Sequence, residues 1–145
     1  MSKYNNKLYE YDGIQFDSKQ EVSVYKHLKA EGFEVLREPV KYIIWEGYRP
    51  TVPFYNRSKK TRMLDLEMSK LRDITYTPDF QFSYAGYTVI IEVKGKENDV
   101  FPIKKKLFRK MLESYKKVLY FELGTIRQLK QAIEIIKQLK DETTK

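Results

Sequence analysis

Two short segments hold residues whose types and spacing can do chemistry: Tyr76-Thr77-Pro78-Asp79-Phe80 and Ile90-Ile91-Glu92-Val93-Lys94. Residues 88–93 form an almost continuous apolar run, which predicts a central strand. Side chains alternate along a strand, so Glu92 and Lys94 share one face while Ile91 and Val93 share the other. Asp79 lies one short hairpin away, across Ser83-Tyr84-Ala85-Gly86. Two acids and a lysine then converge on one spot. Such oxygen ligands suit Mg²⁺, with Mn²⁺ as a substitute, and a lysine beside them suits a phosphate or a water losing its proton. The plainer alternative is a solvated hairpin with an i, i+2 charge pair.

The elements that must position these residues follow from the pattern. Residues 1–16 are polar and tyrosine-rich, and predict a hairpin or arm turning at Asp12-Gly13. A helix is predicted from Ser18 to Glu31, ended by Gly32, with Val24, Tyr25 and Leu28 as its apolar stripe. Strands are expected over residues 33–37, 41–45, 73–82, 88–94 and 118–123. Residues 48–72 read as irregular and basic, with a short helix where Leu64, Met68 and Leu71 fall at helical spacing. A loop is expected over 95–99. A second helix begins at Pro102, a favourable first-turn residue. A third follows Gly124-Thr125 with Leu129, Ile133 and Ile136 on one side, a stripe that serves either a core or a homodimer interface. Residues 141–145 are expected to be frayed. The order of helix, strands, helix, strand and helix predicts a single α/β domain over residues 1–145, with a mixed sheet.

Composition narrows the function classes. The 145 residues contain no cysteine, which excludes disulfides, thiolate zinc sites and cysteine nucleophiles. The single histidine, His27, cannot support a histidine-rich metal site and reads as an ordinary helix residue. No apolar run approaches the roughly 20 residues needed to cross a bilayer, and the N-terminal residues show no signal-peptide core, so a cytoplasmic protein without a membrane partner is expected. Phosphate-loop and nucleophile-elbow patterns are absent. The formal charge of +8, from 28 basic and 20 acidic residues, favours a polyanionic partner.

The basic residues gather in two places. One holds Arg57, Lys59, Lys60 and Arg62; the other holds Lys104, Lys105 and Lys106 at the start of the second helix. Cations at a helix N-terminus oppose the macrodipole, and an incoming phosphate reverses that penalty. A solubilising face is the alternative for either cluster. Glu21 is also open to two readings. Ser18-Lys19-Gln20-Glu21 fits a capping box, whereas a carboxylate on the inward-leaning helix face can also line a cleft; capping by Asp17 with Gln20 would free Glu21.

The Pro78-Asp79 and Glu92-Val93-Lys94 pair, with Glu21 upstream, resembles the PD-(D/E)xK nuclease superfamily. Two further segments, Tyr11 to Glu21 and Val100 to Phe108, resemble a family of small phage proteins on that core, of Holliday-junction-resolvase or endonuclease type. The resemblance spans roughly residues 3–122. It implies a restriction-endonuclease-like α/β sandwich with a central mixed sheet flanked by helices. It also implies a Mg²⁺-dependent endodeoxyribonuclease that leaves a 5′-phosphate. Asp79, Glu92 and the Val93 carbonyl would hold the metal, with Glu21 joining directly or through water. Lys94 would orient or deprotonate the attacking water, or stabilise the pentavalent phosphate. Lys104 and Lys106 would lie nearest the cut DNA. Two other readings remain open: a catalytically inactive, basic nucleic-acid-binding protein on the same core, and a structural or host-interaction phage protein.

Overall fold

In the computed structural model, residues 8–95 and 100–140 are described. Residues 1–7 of the expected arm, residues 96–99 of the expected loop and the expected tail over 141–145 lie outside the described residues. The first hairpin pairs β1 (Tyr9–Tyr11) with β2 (Ile14–Phe16) through the expected Asp12-Gly13 turn. It is tied to the body by Asp12, whose carboxylate accepts from the Tyr25 hydroxyl at 2.8 Å and pairs with Arg37 at 3.2 Å. Helix α1 (Lys19–Ala30) buries Val24, Tyr25 and Leu28 and gives way at Gly32, whose φ of +89° suits a residue with no Cβ. His27 is a helix residue bonded to the Ser23 carbonyl.

Strand β3 (Tyr42–Trp45) runs antiparallel to β6 (Ile74–Tyr76), and the chain between them makes a separate hairpin of β4 (Tyr55–Arg57) and β5 (Leu64–Leu66). No helix forms over residues 64–71. Three apolar positions at helical spacing are too few to compete with Pro50 and Pro53 upstream and with a ladder that pairs Tyr55 with Leu66 and Arg57 with Leu64. Residues 33–37 are also not a strand, although Phe33 and Val35 are buried and the Leu36 amide donates to the Gln81 carbonyl. The strand expected over 73–82 is cut in two. Pro78 lacks an N–H and interrupts pairing, so β6 ends at Tyr76 and β7 (Phe80–Tyr84) starts after Asp79.

The expected central strand is β8 (Tyr87–Val93). It pairs antiparallel with β7 across the Ala85-Gly86 turn and parallel with β9 (Val118–Leu123). The other two helices are α2 (Phe101–Leu112) and α3 (Ile126–Lys137). The alternation of β8 sorts two apolar cores. Val89, Ile91 and Val93 join α1 and α3, whereas Ile90 joins Tyr42, Tyr76, Phe108 and Leu112. Leu129, Ile133 and Ile136 belong to the first core, so that stripe is not a homodimer surface. The class is α/β, with a three-stranded mixed sheet between two apolar layers.

Candidate active site

The Phe80–Ile91 rung of the β7–β8 ladder, continued one step, sets Asp79 opposite Glu92. Asp79 Oδ2 accepts from the Val93 amide at 2.7 Å, which fixes the carboxylate against β8. Burial first, and the Glu92 charge second, push Asp79 up to about 8. Glu92 is 6% exposed, the sole buried charged side chain among the described residues. Its two oxygens are held differently. Tyr76 donates its hydroxyl to Oε1 at 2.7 Å, while Lys94 Nζ lies 3.2 Å from Oε2. Tyr76 and Tyr120 share a second hydroxyl contact of 2.8 Å; with the Tyr76 proton on Glu92, Tyr120 is its donor. Burial pushes both phenols upward, Tyr120 to about 12, so they stay protonated as donors.

Lys94 continues β8 by one residue. Its amide donates to the Leu123 carbonyl at 2.7 Å, and its ammonium sits 3.8 Å from the centre of the Phe101 ring. The aromatic face and the Glu92 carboxylate together hold the ammonium at the sheet end. Glu92, Lys94 and Phe101 line one cleft with Thr75, Thr77 and Lys104. Asp79 and Glu21 open instead onto a neighbouring cleft of about 320 Å³, and Thr77 is common to both.

Glu21 is half-buried. Ser18 is the cap of α1, not Asp17, and its hydroxyl accepts from the Glu21 amide at 3.1 Å. The Glu21 carboxylate completes no box with Ser18. It meets the Asp17 backbone, and burial followed by the Asp17 and Glu92 charges pushes it upward. Glu21 is thus within electrostatic reach of Glu92 and Lys94. Gln20, the neighbour before it, bonds to the Gly124 carbonyl at 2.7 Å and locks this end of α1 to the turn after β9.

The lysines of α2 separate by about 100° each. Lys104 lines the cleft with Glu92 and Lys94. Lys105, rather than Lys106, is its companion. Lys105 Nζ pairs with Glu122 Oε1 at 2.7 Å and lies 5.3 Å from the Phe101 ring. Lys106 is exposed, two residues and some 200° from Lys104. Helix α2 starts without a side-chain cap and without an acid in its first turn. Arg57, Lys59, Lys60 and Arg62 sit on the β4–β5 hairpin, whose strands pack mainly against each other, and none of the four lines either cleft.

Tyr76, Tyr120, Phe101 and Glu122 are the site residues that sequence reasoning missed. Glu122 lies in register with Glu92 on the parallel β9 strand. Tyr76 stands in the same five residues as Asp79, but its hydroxyl reaches Glu92 only through a strand pairing that spacing does not show.

Among the described residues, no three histidine or acidic side chains gather as a metal-holding group. The acids within electrostatic reach of one another are Asp79, Glu92 and Glu21, and Val93, whose amide holds Asp79, stands beside them. Carboxylate oxygens of this kind fit a hard divalent cation, and the mutual repulsion that pushes Asp79 upward is what such a cation would relieve.

The arrangement defines an α/β protein with a partly buried acid–lysine site at one end of a mixed sheet. The chain belongs to the family described as protein of unknown function (DUF1064), which it matches over residues 1–132. No curated protein and no solved structure matches it.

Proposed function

We propose that this chain is a Mg²⁺-dependent DNA endonuclease on a restriction-endonuclease-like α/β sandwich, acting in the cytoplasm of a phage-infected host and directed by DNA structure, as on branched DNA, more than by sequence. The observation that carries this reading is the meeting of Asp79, Glu92 and Lys94 at the end of β8: Asp79 Oδ2 accepts from the Val93 amide at 2.7 Å within reach of the Glu92 charge, and Lys94 Nζ lies 3.2 Å from Glu92. Asp79, Glu92 and the Val93 carbonyl would hold Mg²⁺ or Mn²⁺, with Glu21 at the margin. Once bound, the cation supplies Lewis acidity at a phosphate oxygen and lowers the pKa of a water.

The side chains then divide the work. Tyr76, backed by Tyr120, orients Glu92 by a hydrogen bond. Lys94, held against Phe101, presents its ammonium to the charge that develops on the reacting phosphate. Lys104 and Lys105 flank it and hold the DNA backbone. Glu21 supplies a further carboxylate for a water at the cleft edge.

One observation favours the runner-up, a nucleic-acid-binding protein without catalysis: both Glu92 oxygens already have protein partners. Supercoiled, linear, single-stranded and four-way-junction DNA, each with Mg²⁺, Mn²⁺ or chelator, decide between them. Cleavage that needs the metal supports the nuclease. Salt-sensitive binding with no cleavage and no Mn²⁺ uptake in titration supports the runner-up.

A further inference from the structure

The excursion between β3 and β6 is the one part of the described chain that buries almost nothing. From Thr51 to Glu67, every residue except Ser58 is exposed. Apolar side chains are exposed with the rest: Phe54, Tyr55, Met63, Leu64 and Leu66 are all more than half accessible. Yet the segment is built. Its strands pair over three rungs, and the Ser58 hydroxyl accepts from the Lys60 and Thr61 amides to close the tip. Its root is clamped. A Cβ on Gly47 would lie 1.9 Å from the Leu71 carbonyl oxygen, the Leu71 amide donates to Tyr48, and the Gly47 amide donates to Asp73. A bare two-stranded ribbon is marginal in water, so an exposed apolar ribbon needs a cover.

The ribbon's charge selects that cover. Residues 48–72 hold seven basic and two acidic side chains, a net +5 of the molecule's +8. The rest of the chain is also net positive, so the overall charge of a second copy opposes its approach to the ribbon. A polyanion is not. Tyr55, Arg57, Leu64 and Leu66 share one face by register, which places apolar side chains beside a guanidinium. A DNA groove admits a two-stranded ribbon, and apolar wedges inserted between base steps are how such arms kink a duplex. The root leads through three-residue β6 straight to Tyr76, so an arm on the DNA is tied directly to the site.

We propose that the β4–β5 ribbon is a DNA-binding arm: Arg57, Lys59, Lys60 and Arg62 grip phosphates, and Leu64 and Leu66 wedge into an unstacked base step. It rests on the nuclease reading only in taking DNA as partner. Because a gap already breaks stacking, the arm should bind a duplex with a one-nucleotide gap at least tenfold more tightly than a continuous one.

The test is anisotropy of labelled gapped and continuous duplexes in chelator, across a salt series, with sedimentation of each protein. The Arg57→Ala/Lys59→Ala/Lys60→Ala/Arg62→Ala variant should bind both DNAs more weakly, with the log–log salt slope reduced by about 3.6. Leu64→Thr/Leu66→Thr keeps β propensity; it should lose the gap preference while binding the continuous duplex within about threefold of the parent. An unchanged slope in the basic variant overturns the arm. So does a kept gap preference in the threonine variant, or a parent dimer that this variant converts to monomer, which assigns the face to a second copy. Cleavage in Mg²⁺, measured separately, keeps the failures apart. A parent that cuts while its ribbon variants bind alike sinks the arm alone, and a parent that prefers gapped DNA but never cuts sinks the nuclease alone.

Discussion

Glu92 concentrates the chemistry of this molecule because each of its oxygens has a different kind of partner, a phenol on one side and an ammonium on the other. Tyr76→Phe would leave a buried carboxylate oxygen and the Tyr120 hydroxyl short of a partner, at a cost of about 1–3 kcal/mol. Urea denaturation of metal-free protein should show that loss, and cleavage should slow with it. Asp79 sets the pH behaviour. Its folded form titrates at about 8, against an ordinary 3.8, so the protonated acid favours the fold. That stability is fully present below about pH 4 and is lost as pH rises through 8. Asp79→Asn removes the charge and keeps an acceptor for the Val93 amide. Without metal it should be more stable than the parent at pH 9, by on the order of 2 kcal/mol after allowing for partial exposure, with the gain vanishing near pH 4. A parent whose thermal midpoint does not fall between pH 4 and pH 9 relative to Asp79→Asn contradicts this. The alternation that put Glu92 and Lys94 on one face was legible from two residues and a period of two. Tyr76 and Phe101 were not, because each reaches the site through pairing and packing between distant segments.

At the scale of elements, α1 and α2 serve the sheet end in different ways. Ser18 caps α1, and Ser18→Ala should cost about 1 kcal/mol. Glu21→Gln, by contrast, should leave the melting temperature almost unmoved while cleavage falls sharply, because the Glu21 carboxylate completes no capping box. Full activity in Glu21→Gln would return that residue to a structural role. On α2, the Lys104→Ala/Lys105→Ala pair should weaken DNA binding and flatten the salt slope by about two, whereas Lys106→Ala should change the slope by less than one. Equal effects from all three lysines would mean that DNA does not enter over Phe101. Helices α1 and α3 were readable because each carries one apolar stripe at helical spacing, and strands β8 and β9 because each is a short apolar run. Residues 48–72 were not: their apolar residues face solvent, so hydrophobic spacing carried no information about a buried face. The Pro78 break was present in the sequence, but the apolar residues on both sides of it read as one strand.

For the molecule as a whole, charge and site divide the work. The acids lie at the end of the sheet, partly withdrawn from water, and the cations lie around it on α2 and out along the β4–β5 ribbon. A like-charged surface of this kind repels copies of itself and draws in a polyanion over a range that salt screens, on the order of 10 Å at 0.1 M. The layered α/β body was legible from the order of its elements, and the family match over residues 1–132 covers the whole site. The central claim is that opposed Asp79 and Glu92 make this basic protein a nuclease. Its most direct measurement is the rate at which supercoiled plasmid is nicked or cut in Mg²⁺, for the parent, Asp79→Asn and Glu92→Gln, each confirmed folded by circular dichroism. Metal-dependent cutting by the parent, abolished by chelator and lost in both variants, is the predicted result; variants that cut at the parent's rate, or a folded parent that cuts no DNA, would contradict it.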